Sequence, residues 1–284
     1  MMNDSSSTPT PDSDLVLSER RGSVLLLTLN RSDRLNAWND ALEARYFECL
    51  DGAEADEEVR AIVVTGAGRG FCAGADMDVL EGVDPDDLSI FDRPRPRHFP
   101  MTIRKPLIAA INGAAFGLGL VEALFCDLRF CARSAKLSTV FVRRGLIAEY
   151  GSAWILNRLV GQSAALDLLL SGRTVLGEEA HELGLVDRVY DDEEVLEAAL
   201  AYAAELADLC SPTSMAVIKE QLQQSLDWTF SEAIEDAEVK IRESICRPDV
   251  TEGVGSYLER RPPAFPPLES VARAPSFAQP RTRE

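Results

Sequence analysis

Two glycine-rich stretches hold the residues best suited to chemistry. Thr65-Gly-Ala-Gly-Arg-Gly-Phe-Cys-Ala-Gly-Ala-Asp76 and Asn112-Gly-Ala-Ala-Phe-Gly-Leu-Gly119 each follow an apolar run that reads as a strand. A backbone with few side chains in the way can aim N–H groups at a ligand oxygen. The second stretch also leads into a helix, whose first turn leaves donors unpaired and carries a partial positive charge. Two such loops converging on one oxygen would stabilise a developing negative charge, as an oxyanion hole does. Taken singly, a loop of this kind also serves as plain turn chemistry. Other chemistries are excluded by what is missing. After Gly66 and Gly68, the third glycine of a dinucleotide fingerprint would fall at Phe71, and there is no Gly-Lys-Ser/Thr phosphate loop. His98 and His181 are scattered and have no evident Asp or Ser partner, which argues against a Ser-His-Asp hydrolase. The six cysteines form no CxxC pair and no Cys/His cluster, so no metal site is expected.

An alternation of strands and helices must hold these loops. Short β-rich runs lie at Val24–Leu29, Ala61–Thr65, Leu107–Ile111, Leu128–Cys131 and Leu185–Val189. Helical patterns at Ala37–Leu50, Ala164–Leu170 and Glu178–Leu183 separate them, which predicts an α/β fold. Beyond residue 192 the strands stop. Glu193–Leu209 places Leu196, Leu200, Ala203 and Leu206 on one face, and Pro212 suits the first turn of a helix over Thr213–Leu226. Phe230–Ile245 and Val250–Arg261 follow. The expected organisation is an α/β core over 15–200 and an all-helical region over 201–265, between polar tails at 1–14 and 266–284. Leu107 to Cys126 has the length of a membrane span, with Gly113 and Gly117 at GxxxG spacing. Pro106, Asn112, Gly119 and Glu122 favour a buried strand, a glycine turn and a buried helix instead.

The 284 residues include 29 Lys+Arg against 47 Asp+Glu, a formal net charge of −18. That balance argues against a nucleic-acid partner, which needs a clustered basic face. The Arg-dense stretch Arg93 to Arg97 alternates with proline and reads as a loop. The first fourteen residues lack the apolar stretch of a secretory leader, and the cysteines sit largely in apolar runs, so a reducing cytoplasm is expected.

The motifs together resemble the crotonase superfamily, the enoyl-CoA hydratase/isomerase family. The matching stretches are RSDRLNAW (31–38), GRGFCAGADM (68–77), KPLIAAINGAAFGLGLVEALFCD (105–127), RRGLIAEYGSAWILNRLVG (143–161), EEAHELGLVDRV (178–189) and YLERR (257–261), and they span about 15–265 in the right order and spacing. The resemblance implies a spiral of ββα units and a C-terminal helical region that builds a homotrimer or a dimer of trimers. It also implies a coenzyme A thioester as substrate, with no permanently bound cofactor. Position by position, it implies oxyanion donors in the backbone N–H groups of Ala75 and Leu118. The Ala73 carbonyl matches the position that meets the adenine, and Arg34 the place of a basic residue near the CoA phosphates. Tyr257 and Arg260 match an aromatic and a basic residue that close the CoA site of a neighbouring subunit.

The departures from the family pattern narrow the reaction. Hydratases place one carboxylate nine residues after the Asn of the second loop, where this chain has Val121. The interval from Asn112 to Asp127 equals the family's, so no insertion accounts for the slip. Glu122 is one residue late, a rotation of about 100° that puts it on the back of the helix. The second hydratase carboxylate would fall at Phe141. Val121 and Phe141 are therefore expected to line an apolar acyl pocket. Glu149, four residues after Gly145, resembles the single catalytic Glu of Δ3,Δ2-enoyl-CoA isomerases. The expected reaction moves a 3-enoyl-CoA double bond to 2-enoyl-CoA through a dienolate, with Glu149 as sole acid/base. Two alternatives stay open: a hydratase acting on an unusual acyl-CoA, and an acyl-CoA-binding protein without chemistry. Burial should raise the Glu149 pKa, while the dipole of the following helix opposes it.

Overall fold

A hairpin opens the chain: β1 (Val16–Arg21) and β2 (Val24–Leu29) turn at Gly22, whose φ of +61° suits a residue without a Cβ. Helix α1 (Asp40–Ala55) follows. The computed structural model describes residues 12–82, 84, 86, 87 and 92–269. Within them, buried strands alternate with three-residue strands of a second sheet. β3 (Ala61–Gly66) and β4 (Gly70–Cys72) precede α2 (Met77–Glu81). β5 (Leu107–Ile111) and β6 (Ala114–Phe116) precede α3 (Leu118–Leu124). β7 (Leu128–Ala132) and β8 (Lys136–Ser138) precede α4 (Ser152–Leu159) and α5 (Gly161–Ser171). β9 (Val175–Leu176), α6 (Gly177–Glu182) and β10 (Arg188–Tyr190) end the α/β part. Four helices follow among the described residues: α7 (Val195–Leu209), α8 (Pro212–Gln224), α9 (Phe230–Ile245) and α10 (Pro248–Glu259).

The larger sheet has the order β1-β2-β3-β5-β7-β10 and is parallel apart from the β1–β2 hairpin. Its inner strands β3 and β5 are buried along their whole length, as the continuous apolar runs AIVV and LIAAI require of strands covered on both faces. The smaller sheet, β4-β6-β8-β9, pairs its first three strands in parallel and β9 antiparallel to β8. Each crossing from β3 to β4 and from β5 to β6 is one of the two glycine loops, so the repeat itself sets them side by side. α7 lies on the larger sheet, against β2, β3, β5, β7 and β10. α9 buries none of its residues and exposes Phe230, Ile241 and Ile245.

The structure moves several expected boundaries. The strand expected at Leu185–Val189 lies at Arg188–Tyr190. Leu185 is instead held in a turn by the Arg129 guanidinium, which donates to its carbonyl at 3.0 Å, while Asp187 accepts the Arg129 N–H. The first long helix starts at Asp40, not Ala37, because Leu35 and Asn36 are left-handed and the Asn39 side chain caps the Leu42 N–H. Leu107 to Cys126 folds as strand, turn, strand and helix. Among the described residues no helix is long and apolar enough to cross a membrane. Of the expected tails, 1–11 and 270–284 lie outside the described residues. Asp12–Asp14 form a 3-10 turn, Leu268 is buried, and the Glu269 carbonyl accepts a bond from Arg104, so the C-terminal segment packs further than residue 265.

Candidate active site

Two asparagine amides, one buried at Asn36 and one half-buried at Asn112, hold the first glycine loop. Asn112, just past β5, accepts the Gly66 N–H at 3.2 Å and donates to the carbonyls of Gly66 and Gly68 at 2.8 and 3.0 Å. Asn36 accepts the Arg31 N–H and donates to the carbonyls of Ala67 and Gly70. After β4 the chain runs beside Trp38: the Trp38 N–H donates to the Gly74 carbonyl at 2.7 Å and the Asp76 N–H to the Trp38 carbonyl at 2.9 Å. That parallel bridge uses the peptide groups on either side of Ala75 and leaves the Ala75 N–H over. Asp76 is clamped by Arg31 at 2.8 Å, and Arg31 also donates to the Ala37 carbonyl. Burial alone would push the Asp76 carboxyl up, but the bonds from Arg31 and the Asp78 N–H outweigh it and hold Asp76 below the usual carboxylate range.

The second loop meets the first at Gly117, the N-cap of α3, so Leu118 is the first helical residue. Its N–H has no intrahelical acceptor. Neither it nor the Ala75 N–H donates to another group among the described residues. The two loops touch. A Cβ at Gly74 would lie 2.7 Å from the Phe116 carbonyl oxygen and 3.8 Å from the Leu118 nitrogen, and a Cβ at Gly119 would lie 2.1 Å from the Cys72 carbonyl oxygen. The expected donors Ala75 and Leu118 are therefore brought together by backbone contact that only glycine permits.

The expected apolar lining is buried. Val121 is buried in α3, and Phe141 is buried on the 3-10 turn Phe141–Arg144, its ring 3.7 Å from where a Gly117 Cβ would stand. Glu149 is half-buried at the entry to α4, which packs on α3, and its carbonyl accepts the Ser152 N–H at 2.9 Å. Burial raises the Glu149 carboxyl above its ordinary value, and the nearby Arg97 charge opposes that without cancelling it. Arg97 is itself buried, ion-paired with Glu43 of α1 at 2.5 Å and stacked 4.7 Å from the Tyr150 ring centroid. Glu43 also takes Arg93 at 2.6 Å and the Trp38 indole N–H at 3.1 Å.

Glu122, expected on the back of α3, sits in a helix that is buried throughout. It is 3% exposed, neither carboxylate oxygen has a hydrogen-bond partner among the described residues, and burial holds the group well above the ordinary range, as a neutral acid.

The residues expected near coenzyme A divide into two groups. Arg34 is exposed 3.4 Å from Asp78, and the carbonyl of its neighbour Leu35 accepts the Ala73 N–H at 3.0 Å, so Arg34 stands beside the first glycine loop, which holds Ala73. Tyr257, 83% exposed, and Arg260, left-handed at the end of α10, project from the helical region. Among the described residues no hydrogen bond within the chain joins them to the loops. Arg31, Asn36, Asp76, Asn112 and Arg97 escaped the sequence reading as site residues. The first four lie inside the quoted motifs, but their partners come from other segments: Asn36 and Asn112 bond backbone atoms of the first glycine loop, and Arg31 and Asp76 pair across 45 residues. Arg97 lies in the Pro/Arg stretch read only as a loop.

A model of the enoyl-CoA hydratase/isomerase family matches residues 19–267. The chain belongs to this family. A 1,2-epoxyphenylacetyl-CoA isomerase of Escherichia coli is 37% identical over 261 residues, which cover 89% of this chain and 98% of the relative. Among solved structures, an enoyl-CoA hydratase from Mycobacterium marinum is 52% identical and covers 74% of this chain and 96% of its own, with a TM-score of 0.64. An enoyl-CoA hydratase from Bacillus anthracis superposes with a TM-score of 0.84 at 27% identity, covering 88% and 98%. This family member is thus an acyl-CoA enzyme with a crotonase-type α/β fold and a helical C-terminal region.

Proposed function

We propose that the enzyme shifts the double bond of a 3-enoyl-CoA to the 2-position, with Glu149 as its single acid/base. The observation that supports this reading is the charge inventory of the expected site: Val121 and Phe141 are buried and apolar, while the half-buried Glu149 keeps a carboxyl with raised basicity. The thioester oxygen would accept the N–H groups of Ala75 and Leu118. Glu149 takes the C2 proton, the electron pair spreads over C2, C4 and the thioester oxygen as a dienolate, and the same carboxyl returns the proton to C4. Each backbone donor contributes about 2.7–4 kcal/mol of barrier reduction, and the base about 10²–10⁴-fold. No group is consumed, so one carboxyl suffices.

The coenzyme would run past Arg34 and the Ala73 carbonyl, with Tyr257 and Arg260 reaching it from a neighbouring subunit of a homotrimer or dimer of trimers. The apolar residues exposed on α8, α9 and α10, among them Leu222, Phe230, Ile245 and Leu258, supply surface for that assembly. A cytoplasmic setting fits the six free cysteines.

Hydration is the second reading, favoured by the name of the Mycobacterium marinum relative. One comparison separates the two: rates of 3-enoyl-CoA isomerisation and 2-enoyl-CoA hydration, in wild type and Glu149→Gln. Loss of isomerisation by about 10²–10⁴-fold supports the single-base isomerase. Fast hydration that survives Glu149→Gln sinks it.

A further inference from the structure

We propose that Arg97 is the positioning residue of the candidate base: its buried guanidinium, anchored to Glu43 and stacked on Tyr150, holds the turn that presents Glu149 and sets a positive charge behind its carboxylate. The inference rests on the reading of Glu149 as the acid/base, and adds a residue that touches neither substrate nor coenzyme.

Geometry carries it. Tyr150, next to Glu149, has φ of +49°, a left-handed backbone that a bulky side chain adopts only when its surroundings impose it. The Arg97 guanidinium stacks on its ring, 4.7 Å from the centroid, so the cation lies against the residue next to the base. Arg97 is 8% exposed, and its place is fixed from the other side by Glu43, which Trp38 and Arg93 hold in turn. Trp38 is the residue that pairs with the strand segment at Ala75, so one chain of contacts runs from the oxyanion loop through Glu43 and Arg97 to the turn of the base. The Arg97 Nε is buried without a hydrogen-bond partner among the described residues, so its bonding runs through the terminal nitrogen that meets Glu43.

The other charged groups around this turn are accounted for. Arg93 is taken by Asp40 and Glu43, Arg143 donates to the Ser171 carbonyl, and Arg158 stacks on Trp154. Arg144 is exposed at the end of the 3-10 turn. Glu122 on α3 feels the Arg97 charge but is neutral. His98 adjoins Arg97 and is held below its usual range by burial, so it titrates on the acid side. Arg97 is thus the cation whose charge favours the Glu149 carboxylate.

The test is a carboxyl-carbon NMR titration of glutamate-labelled enzyme, with Glu149 assigned by its loss in Glu149→Gln, alongside pH profiles of kcat/KM for a 3-enoyl-CoA. Arg97→Met is expected to move the Glu149 midpoint and the acid limb of kcat/KM upward together, each unit being a tenfold loss of activity on that limb. Arg97→Lys, which keeps the charge, is expected to restore the midpoint, and His98→Gln to leave it in place. A structural role alone would loosen the turn, admit water and lower the midpoint; an unchanged or lowered midpoint in Arg97→Met overturns the proposal. Should Arg97→Met not fold, Arg97→Gln, which drops the charge and keeps a hydrogen-bond donor toward Glu43, must raise the midpoint, and an unchanged or lowered value there overturns the proposal equally. Retained isomerisation in Glu149→Gln would instead strike the acid/base reading, whatever the titration shows.

Discussion

Replacing Gly119 by alanine tests whether the contact between the two glycine loops makes the active site. The added methyl would stand 2.1 Å from the Cys72 carbonyl oxygen, 2.7 Å from its carbon and 2.8 Å from the Cys72 Cβ. Two of those neighbours are backbone, so no side chain can swing aside. Real Cβ atoms essentially never come within 3.0 Å of such a neighbour, which means that α3 and the segment at 72–75 must part by roughly 0.9 Å. Leu118 is the residue before Gly119, and Ala75 lies three past Cys72, so the parting falls on the pair of N–H donors. A misplacement of about 1 Å costs on the order of 10²-fold in rate, and outright loss of one oxyanion donor about 10²–10³-fold. Overpacking of this kind also lowers stability by about 1–3 kcal/mol. Steady-state isomerisation and urea unfolding of Gly119→Ala read both effects. Gly255→Ala is the control: nothing lies within 4 Å of its added methyl on α10, so it should leave kcat alone and raise stability by up to about 1 kcal/mol. Wild-type kcat and stability in Gly119→Ala would falsify the claim that the loops form the site by direct contact.

Three further outcomes are expected. The buried Glu122 holds its proton in the folded chain above the pH at which the unfolded chain releases it. Stability should therefore fall as pH rises from about 4.5 toward its raised folded value, by about 1.4 kcal/mol per unit; Glu122→Gln should remove that slope in thermal melts, and an unaltered slope would place the loss elsewhere. Arg31→Met leaves Asp76 buried without its partner, and should cost about 3–5 kcal/mol in denaturant unfolding while lowering kcat through the adjoining Ala75. Light scattering should give a trimer or a dimer of trimers; a monomer that still binds a CoA thioester tightly would remove Tyr257 and Arg260 from the CoA site.

The larger sheet was legible because its inner strands are buried on both faces and read as unbroken apolar runs, as in AIVV and LIAAI. The smaller sheet was not. β4, β6 and β8 have three residues each and adjoin glycines, too short for any period to register, and they are strands only because the larger sheet lays their starts side by side. The same limit applies to Leu185, whose apolar neighbours suggest a strand but whose carbonyl is taken by Arg129.

By itself the sequence determined the glycine loops, the apolar residues at 121 and 141 and the carboxyl at 149, because residue type and spacing along one segment are local properties. The tertiary structure decided what those residues face. It left the Ala75 and Leu118 N–H groups over by committing their neighbours to other bonds, and it turned Glu122 from an expected helix back into a neutral buried acid. It also drew Arg97 out of a proline-rich loop to stack on Tyr150, the residue next to Glu149. The physical reason is common to all three: burial and hydrogen-bond partners come from contacts between segments far apart in the chain, and they set the charge and direction of a group whose identity is already written in its own segment.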